Sequence, residues 1–144
     1  MRVVILTLFV ALAHSATAQR PNEKLSSRWL ILLPGPEWAL SVDSQTIAPR
    51  DSGWLKAWIR SSYAKNQKSS SGKPYRTMLS LEVVDCRRKR WKTLEAVTYS
   101  ADGTVVEHGG PVDEAVAHWT EPTPDTYGEA ELQLFCVNEP RFRR

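Results

Sequence analysis

The sequence predicts an α+β domain, in which a mainly antiparallel sheet carries one C-terminal helix packed on it and one disulfide closes the unit. Three observations carry this. From Trp29 to Glu107 apolar and polar residues alternate in short runs, the period of half-buried strands. Pro122 to Val137 reads as the single substantial helix. The chain holds two cysteines, Cys86 at the end of the longest alternating run and Cys136 near the end of the helix.

In chain order, Gln19 to Ser27 is polar and reads as a loose N-terminal arm. Trp29 to Leu33 is an apolar run of strand length, stopped by Pro34-Gly35-Pro36. Trp38 to Asp43 alternates, with Trp38, Leu40 and Val42 on one side. Thr46 to Ala48 is read as a short strand before the turn cluster at Pro49 to Gly53. Trp54 to Tyr63 sets Leu55, Ala57, Ile59 and Ser61 against Trp54, Lys56, Trp58 and Arg60. Spacings of four leave a helix open there, while the β-branched and aromatic content favours a strand.

Ala64 to Pro74 is basic and serine-rich and is expected to be a mobile loop. Tyr75 to Asp85 is the clearest strand. Arg90 to Ser100 follows, then the Ala101-Asp102-Gly103 hairpin turn and a returning strand from Thr104 to Glu107. In the helix, Thr123 is placed to cap, Pro124 suits the first turn, and Thr126 with Glu129 offers a capping box. Tyr127, Ala130 and Leu134 would form its buried stripe, with Cys136 near its end. Asn138 to Arg144 is polar and expected to fray. No internal repeat or domain boundary is visible.

The first residues point to export. Arg2 precedes an apolar run from Val3 to Ala13, and Ala16-Thr17-Ala18 supplies an A-x-A cleavage site. The run is about 11 residues, against the roughly 20 of a spanning helix, so residues 1–18 read as a signal peptide and 19–144 as one domain. No lipoprotein cysteine stands at Gln19, which makes a periplasmic or secreted protein without membrane insertion the expectation. In an oxidising compartment two cysteines have one intramolecular pairing. Their loop of about 50 residues would be stabilised by about 4 kcal/mol on loop entropy. A zinc ribbon would need C-x-x-C spacing, and a catalytic thiol is the remaining alternative.

The ordered set Val84-Asp85-Cys86, the basic run Arg87-Arg88-Lys89-Arg90, Tyr99-Ser-Ala-Asp-Gly103-Thr-Val-Val106, Pro122-Thr-Pro-Asp-Thr126 and Leu134-Phe135-Cys136-Val137 resembles the surface-adhesin protein E family of Gram-negative bacteria. The likeness also takes in Trp38 to Ile47 and Trp54 to Arg60. It implies about six antiparallel strands with a packed helix, a Cys86–Cys136 bridge, and binding to host matrix or plasma proteins.

Against catalysis, no serine sits in a G-x-S-x-G elbow, and nothing resembles H-E-x-x-H or a phosphate loop. His108 and His118 lack a ligand set for a metal and read as surface or loop residues. The carboxylate pairs Asp113/Glu114 and Glu129/Glu131 read as loop and helix-surface charges. No cofactor or metal is implied.

The 19 Lys and Arg against 16 Asp and Glu say little overall; their placement says more. Arg87, Arg88, Lys89 and Arg90 form a candidate partner-binding run, with a solvated strand connection as the plainer reading. Trp38, Trp54, Trp58 and Trp91 are expected to fill the core. Export and the lack of a recognition motif speak against nucleic acid. The expectation is an exported, non-enzymatic module with a protein partner, able to form a homodimer through an exposed sheet edge. The alternative is a periplasmic accessory or structural protein with no host ligand.

Overall fold

A computed structural model describes residues 28–50 and 53–142. The expected signal peptide at 1–18 and the expected N-terminal arm lie outside the described residues. The strands are β1 (Trp29–Leu33), β2 (Trp38–Asp43), β3 (Ala48–Pro49), β4 (Leu55–Lys68), β5 (Pro74–Asp85), β6 (Arg90–Tyr99) and β7 (Val105–Gly109); one helix, α1 (Tyr127–Phe142), follows. They form one antiparallel sheet in the order β1-β2-β4-β5-β6-β7, with the two-residue β3 also paired to β4. Nearly every neighbour in space is a neighbour in sequence, as tight hairpins require.

The alternation in β4 decides the faces, and the segment is strand throughout. Leu55, Ala57 and Ile59 are buried beside Trp38, Leu40 and Val42 of β2, Val84 of β5, and Leu132 and Phe135 of α1. This is the helix-covered core. The opposite face carries Trp58 and Arg60 of β4. By register it also carries Leu81 and Leu79 of β5, then Glu95 and Val97 of β6. The segment after Gly110 folds against part of that face: Val112 N–H donates to Leu94 O at 2.7 Å, and Trp91 and Thr120 bridge. Gly110 has φ +97°, and a β-carbon there would stand 2.5 Å from Leu94 O, so this close approach requires glycine.

Several expectations need correction. The serine-rich segment is not a free loop: β4 runs to Lys68 and β5 begins at Pro74. The strands shift register between Ser62 and Gln67, and the hairpin tip reaches β7, where the Ser70 hydroxyl donates to Glu107 and Ser71 Oγ lies 3.2 Å from Glu107 Oε2. Those hydroxyls hold the Glu107 carboxyl well below its ordinary range. Composition alone did not reveal that one distant carboxylate organises the tip. The short strand is Ala48–Pro49 rather than Thr46–Ala48, because Thr46 turns back to Asp43 O. The returning strand continues to Gly109.

The helix starts later and ends later than expected. Thr126, not Thr123, caps it: its hydroxyl oxygen accepts from Glu129 N–H at 3.3 Å, while Glu129 Oε2 accepts from Asp125 N–H at 2.8 Å. It continues through Pro140 to Phe142, whose ring packs 5.0 Å from Phe135. Its buried residues are Leu132 and Phe135; Ala130 and Leu134 pack at the core margin, and Tyr127 is half exposed. Only Trp38 of the four core tryptophans is buried; Trp91 packs against the core, whereas Trp54 and Trp58 share the opposite face. Cys86 and Cys136 form a disulfide with Cα atoms 5.4 Å apart, tying the end of β5 to α1.

Candidate functional site

Three regions concentrate chemistry. The first is the basic run. Residues 86–89 form the tight turn between β5 and β6, closed by the Asp85–Arg90 pair, and Lys89 takes φ +51° to complete it. Arg87, Arg88 and Lys89 are exposed. Arg90 is not available in the same way. Its Nε is 3.3 Å from Asp85 Oδ2, and its guanidinium lies 4.3 Å from the Trp119 ring centroid. Arg88 also reaches Asp85, at 3.7 Å, from an exposed position where such a pair is worth little. The run therefore divides into three solvent-facing cations and one structural one.

The second region is the sheet face away from the helix. Arg60 stacks 4.6 Å over Trp29; Lys92 lies 5.5 Å from the Trp54 ring and 4.8 Å from Trp119; and Trp54 and Trp119 meet edge-on at 4.8 Å. Lys92 is buried and donates to Glu114 O at 2.6 Å. Glu114 pairs with Arg50 at 3.1 Å and Lys56 at 3.5 Å, so it holds the 110–121 segment onto the sheet. Asp113 accepts from Ala115 N–H at 2.7 Å and shapes the adjoining turn.

The third region was not foreseen. Between α1 and the sheet lies a cavity of about 260 Å³. Glu82 of β5 and Glu131 of α1 line it, together with Tyr63, Ser80, Trp91, Thr93 and Tyr127. Glu82 is 7% exposed, and burial lifts its carboxyl from 4.5 to about 7. Burial, and then the charge of Glu82, push Glu131 well above the carboxylate range; Ser61 Oγ donates to its Oε2 at 3.3 Å. Glu131 sits on a partly exposed stretch of helix, yet its Oε1 is shut off from solvent and has no hydrogen-bond partner. Glu131 therefore belongs inside, paired with Glu82, rather than on the helix surface beside Glu129. The signal for it was present in two alternations: Ser61 continues the core face of β4, and the β4–β5 register places Glu82 opposite Ala57.

His108 lies on β7, exposed, with Nε2 2.9 Å from Glu95 Oε1, and His118 is exposed in the 110–121 segment. Among the described residues no three His, Cys, Asp or Glu side chains are placed to hold a metal ion, and no helix is long and apolar enough to cross a membrane.

These features define a small disulfide-locked α+β module with a helix on one sheet face and a cation–aromatic layer on the other. Residues 29–137 match the family described as surface-adhesin protein E, and the chain belongs to that family. The fold is similar to the crystal structure of protein E from non-typeable Haemophilus influenzae, with a TM-score of 0.50 at 15% identity over 85% of this chain and 84% of that one. A second crystal form of Haemophilus influenzae protein E gives a TM-score of 0.50 at 15% identity over 83% and 94%. No curated protein matches the sequence.

Proposed function

We propose that the chain is an exported binding module without catalytic activity of its own, which contacts a protein partner through Arg87, Arg88 and Lys89 and the adjoining sheet face. The observation that carries this reading is the turn itself. Three cations project at one end of the sheet, on a hairpin anchored by Asp85 and by the Cys86–Cys136 bridge next to it. A charged patch on a rigid base steers association with an acidic surface, and does so less as salt rises. Family membership supports an adhesin-like role, in which the partner is a host matrix or envelope protein acting on exported material. Among the described residues β1 and β7 are each paired on one side only, and their edges offer a second copy of the chain a strand to add to.

The test is a pull-down and binding titration of the mature protein against host matrix and periplasmic extracts across a salt series. Wild type is compared with a variant carrying Arg87→Glu, Arg88→Glu and Lys89→Glu. Arg90 is left in place because it supports the fold. Loss of salt-sensitive binding in the variant is expected; unchanged binding removes the turn from the account. Cell fractionation separates the adhesin reading from an accessory role with no host ligand: surface exposure agrees with the first and soluble periplasmic release with the second.

A further inference from the structure

The cavity beneath α1 has an unbalanced chemistry. Its lining contains two acidic groups and no Lys, Arg or His, so no positive charge on the lining answers the carboxyls of Glu82 and Glu131, which meet only serine hydroxyls. One oxygen of Glu131 is buried with no hydrogen-bond partner at all. A buried acceptor left unmade is costly, and such an oxygen marks a place where a donor is missing. The walls are aromatic: Tyr63, Trp91 and Tyr127 line the same space. Tyr127 is 50% exposed and forms part of the rim, so the space can be reached from outside.

We propose that this cavity binds a small primary ammonium ion, with Glu82 and Glu131 accepting its N–H donors and the rings of Tyr63, Trp91 and Tyr127 flanking the cation. Each component matches a need of that group. An alkylammonium has three donors and no acceptor, which suits the orphaned Glu131 oxygen and the facing Glu82. Aromatic faces attract organic cations and exclude water around them. A divalent metal is a poorer fit, because hard cations take six or more oxygen ligands and two carboxyls with a serine hydroxyl fall short. At about 260 Å³ the space lies below the ~300–1,000 Å³ of drug-sized sites, so a slender headgroup fits where a large ligand does not. The remaining titratable side chains on the lining are Tyr63 and Tyr127.

Entry of the cation has a proton balance. A carboxyl that carries a proton in the empty cavity releases it to solvent when the ammonium takes its place. Binding and proton release are therefore linked. This site is separate from the basic turn and does not depend on the protein-partner reading above.

The probe is n-butylammonium chloride, titrated calorimetrically into the oxidised mature protein at pH 7 in two buffers of different ionisation enthalpy. n-Butanol and matched potassium chloride are the controls. Saturable one-to-one binding is expected for the amine alone, with about one proton released per amine and an affinity that falls about tenfold from pH 6 to pH 5. Glu131→Gln and Glu82→Gln, each checked for native circular dichroism, are expected to weaken binding at least tenfold. Absence of saturation up to 50 mM overturns the proposal. So does equal binding of butanol, or wild-type affinity in a folded Glu131→Gln protein. The proton count is read on wild type, so the test stands even where a variant does not fold.

Discussion

Replacing Glu82 with Gln is expected to stabilise the protein at neutral and alkaline pH, the reverse of the usual result for a buried side chain. The magnitude follows from one carboxyl. In the unfolded chain Glu82 ionises near 4.5, and in the folded protein burial holds its proton to about 7. Between these values the native state binds more protons than the unfolded state. Stability is therefore fully present below about 4.5 and is lost as pH rises towards and through about 7. At about 1.4 kcal/mol per tenfold change in proton affinity, the whole effect is on the order of 3 kcal/mol, most of which falls between pH 5 and pH 8. Glu131 acts in the same direction, since its carboxyl is also lifted. Gln keeps the shape of a protonated Glu and cannot ionise. Urea unfolding of the oxidised protein at pH 5 and pH 8 checks this. Wild type should lose on the order of 3 kcal/mol over that range, while Glu82→Gln loses less by most of that amount and melts several degrees, roughly 10 °C, higher than wild type at pH 8. A wild-type curve that rises towards pH 8, or a Gln variant destabilised equally at both pH values, would refute the reasoning.

Two further outcomes test the frame around the cavity. Cys136→Ser should lower stability by about 4 kcal/mol, because the bridge spans 50 residues, and wild type treated with reductant should move to the same urea midpoint. Glu107→Ala removes the acceptor that Ser70 and Ser71 share, and should raise hydrogen exchange at the 69–73 turn with little change, below about 1 kcal/mol, in global stability, because every partner there is exposed.

The strands were legible because period-2 alternation is a direct image of one wet face and one dry face. β4 shows the image most fully, with Leu55, Ala57, Ile59 and Ser61 all buried, although spacings of four in the same stretch left a helix open on sequence alone. The bridge was legible from cysteine number and compartment. What alternation cannot convey is which of two mixed faces lies under the helix. In β5 the more apolar set, Leu79, Leu81 and Val83, faces away from α1, while Ser80, Glu82 and Val84 face towards it. A reading by hydrophobicity alone would turn that strand over, and the buried carboxyl disappears with it. The helix boundaries failed for a related reason. Pro122-Thr123-Pro124 offers a helix start that the fold does not use, while the Thr126–Glu129 capping box, also legible in the sequence, is the one that forms. The serine-rich hairpin was misread because its order comes from Glu107, a residue about 36 positions away.

The opposite sheet face shows why basic residues here cannot be treated as one patch. Lys92, Arg90 and Arg60 all sit over indole rings. By register Arg60 stands opposite Leu79, Lys92 opposite Val83 and Arg90 opposite Asp85, on the sheet face that also carries Trp58, Leu81 and Val97 and that no helix covers. Those cations are part of the fold's second cover. A partner that drew on them would have to displace contacts of about 0.5–2 kcal/mol each. Among the described residues no aromatic ring lies beneath Arg87, Arg88 or Lys89, which are exposed. Charge is cheap to redirect at those three positions and costly at the others. Reversing Arg90 should therefore register as lost stability, while reversing the turn registers as lost association.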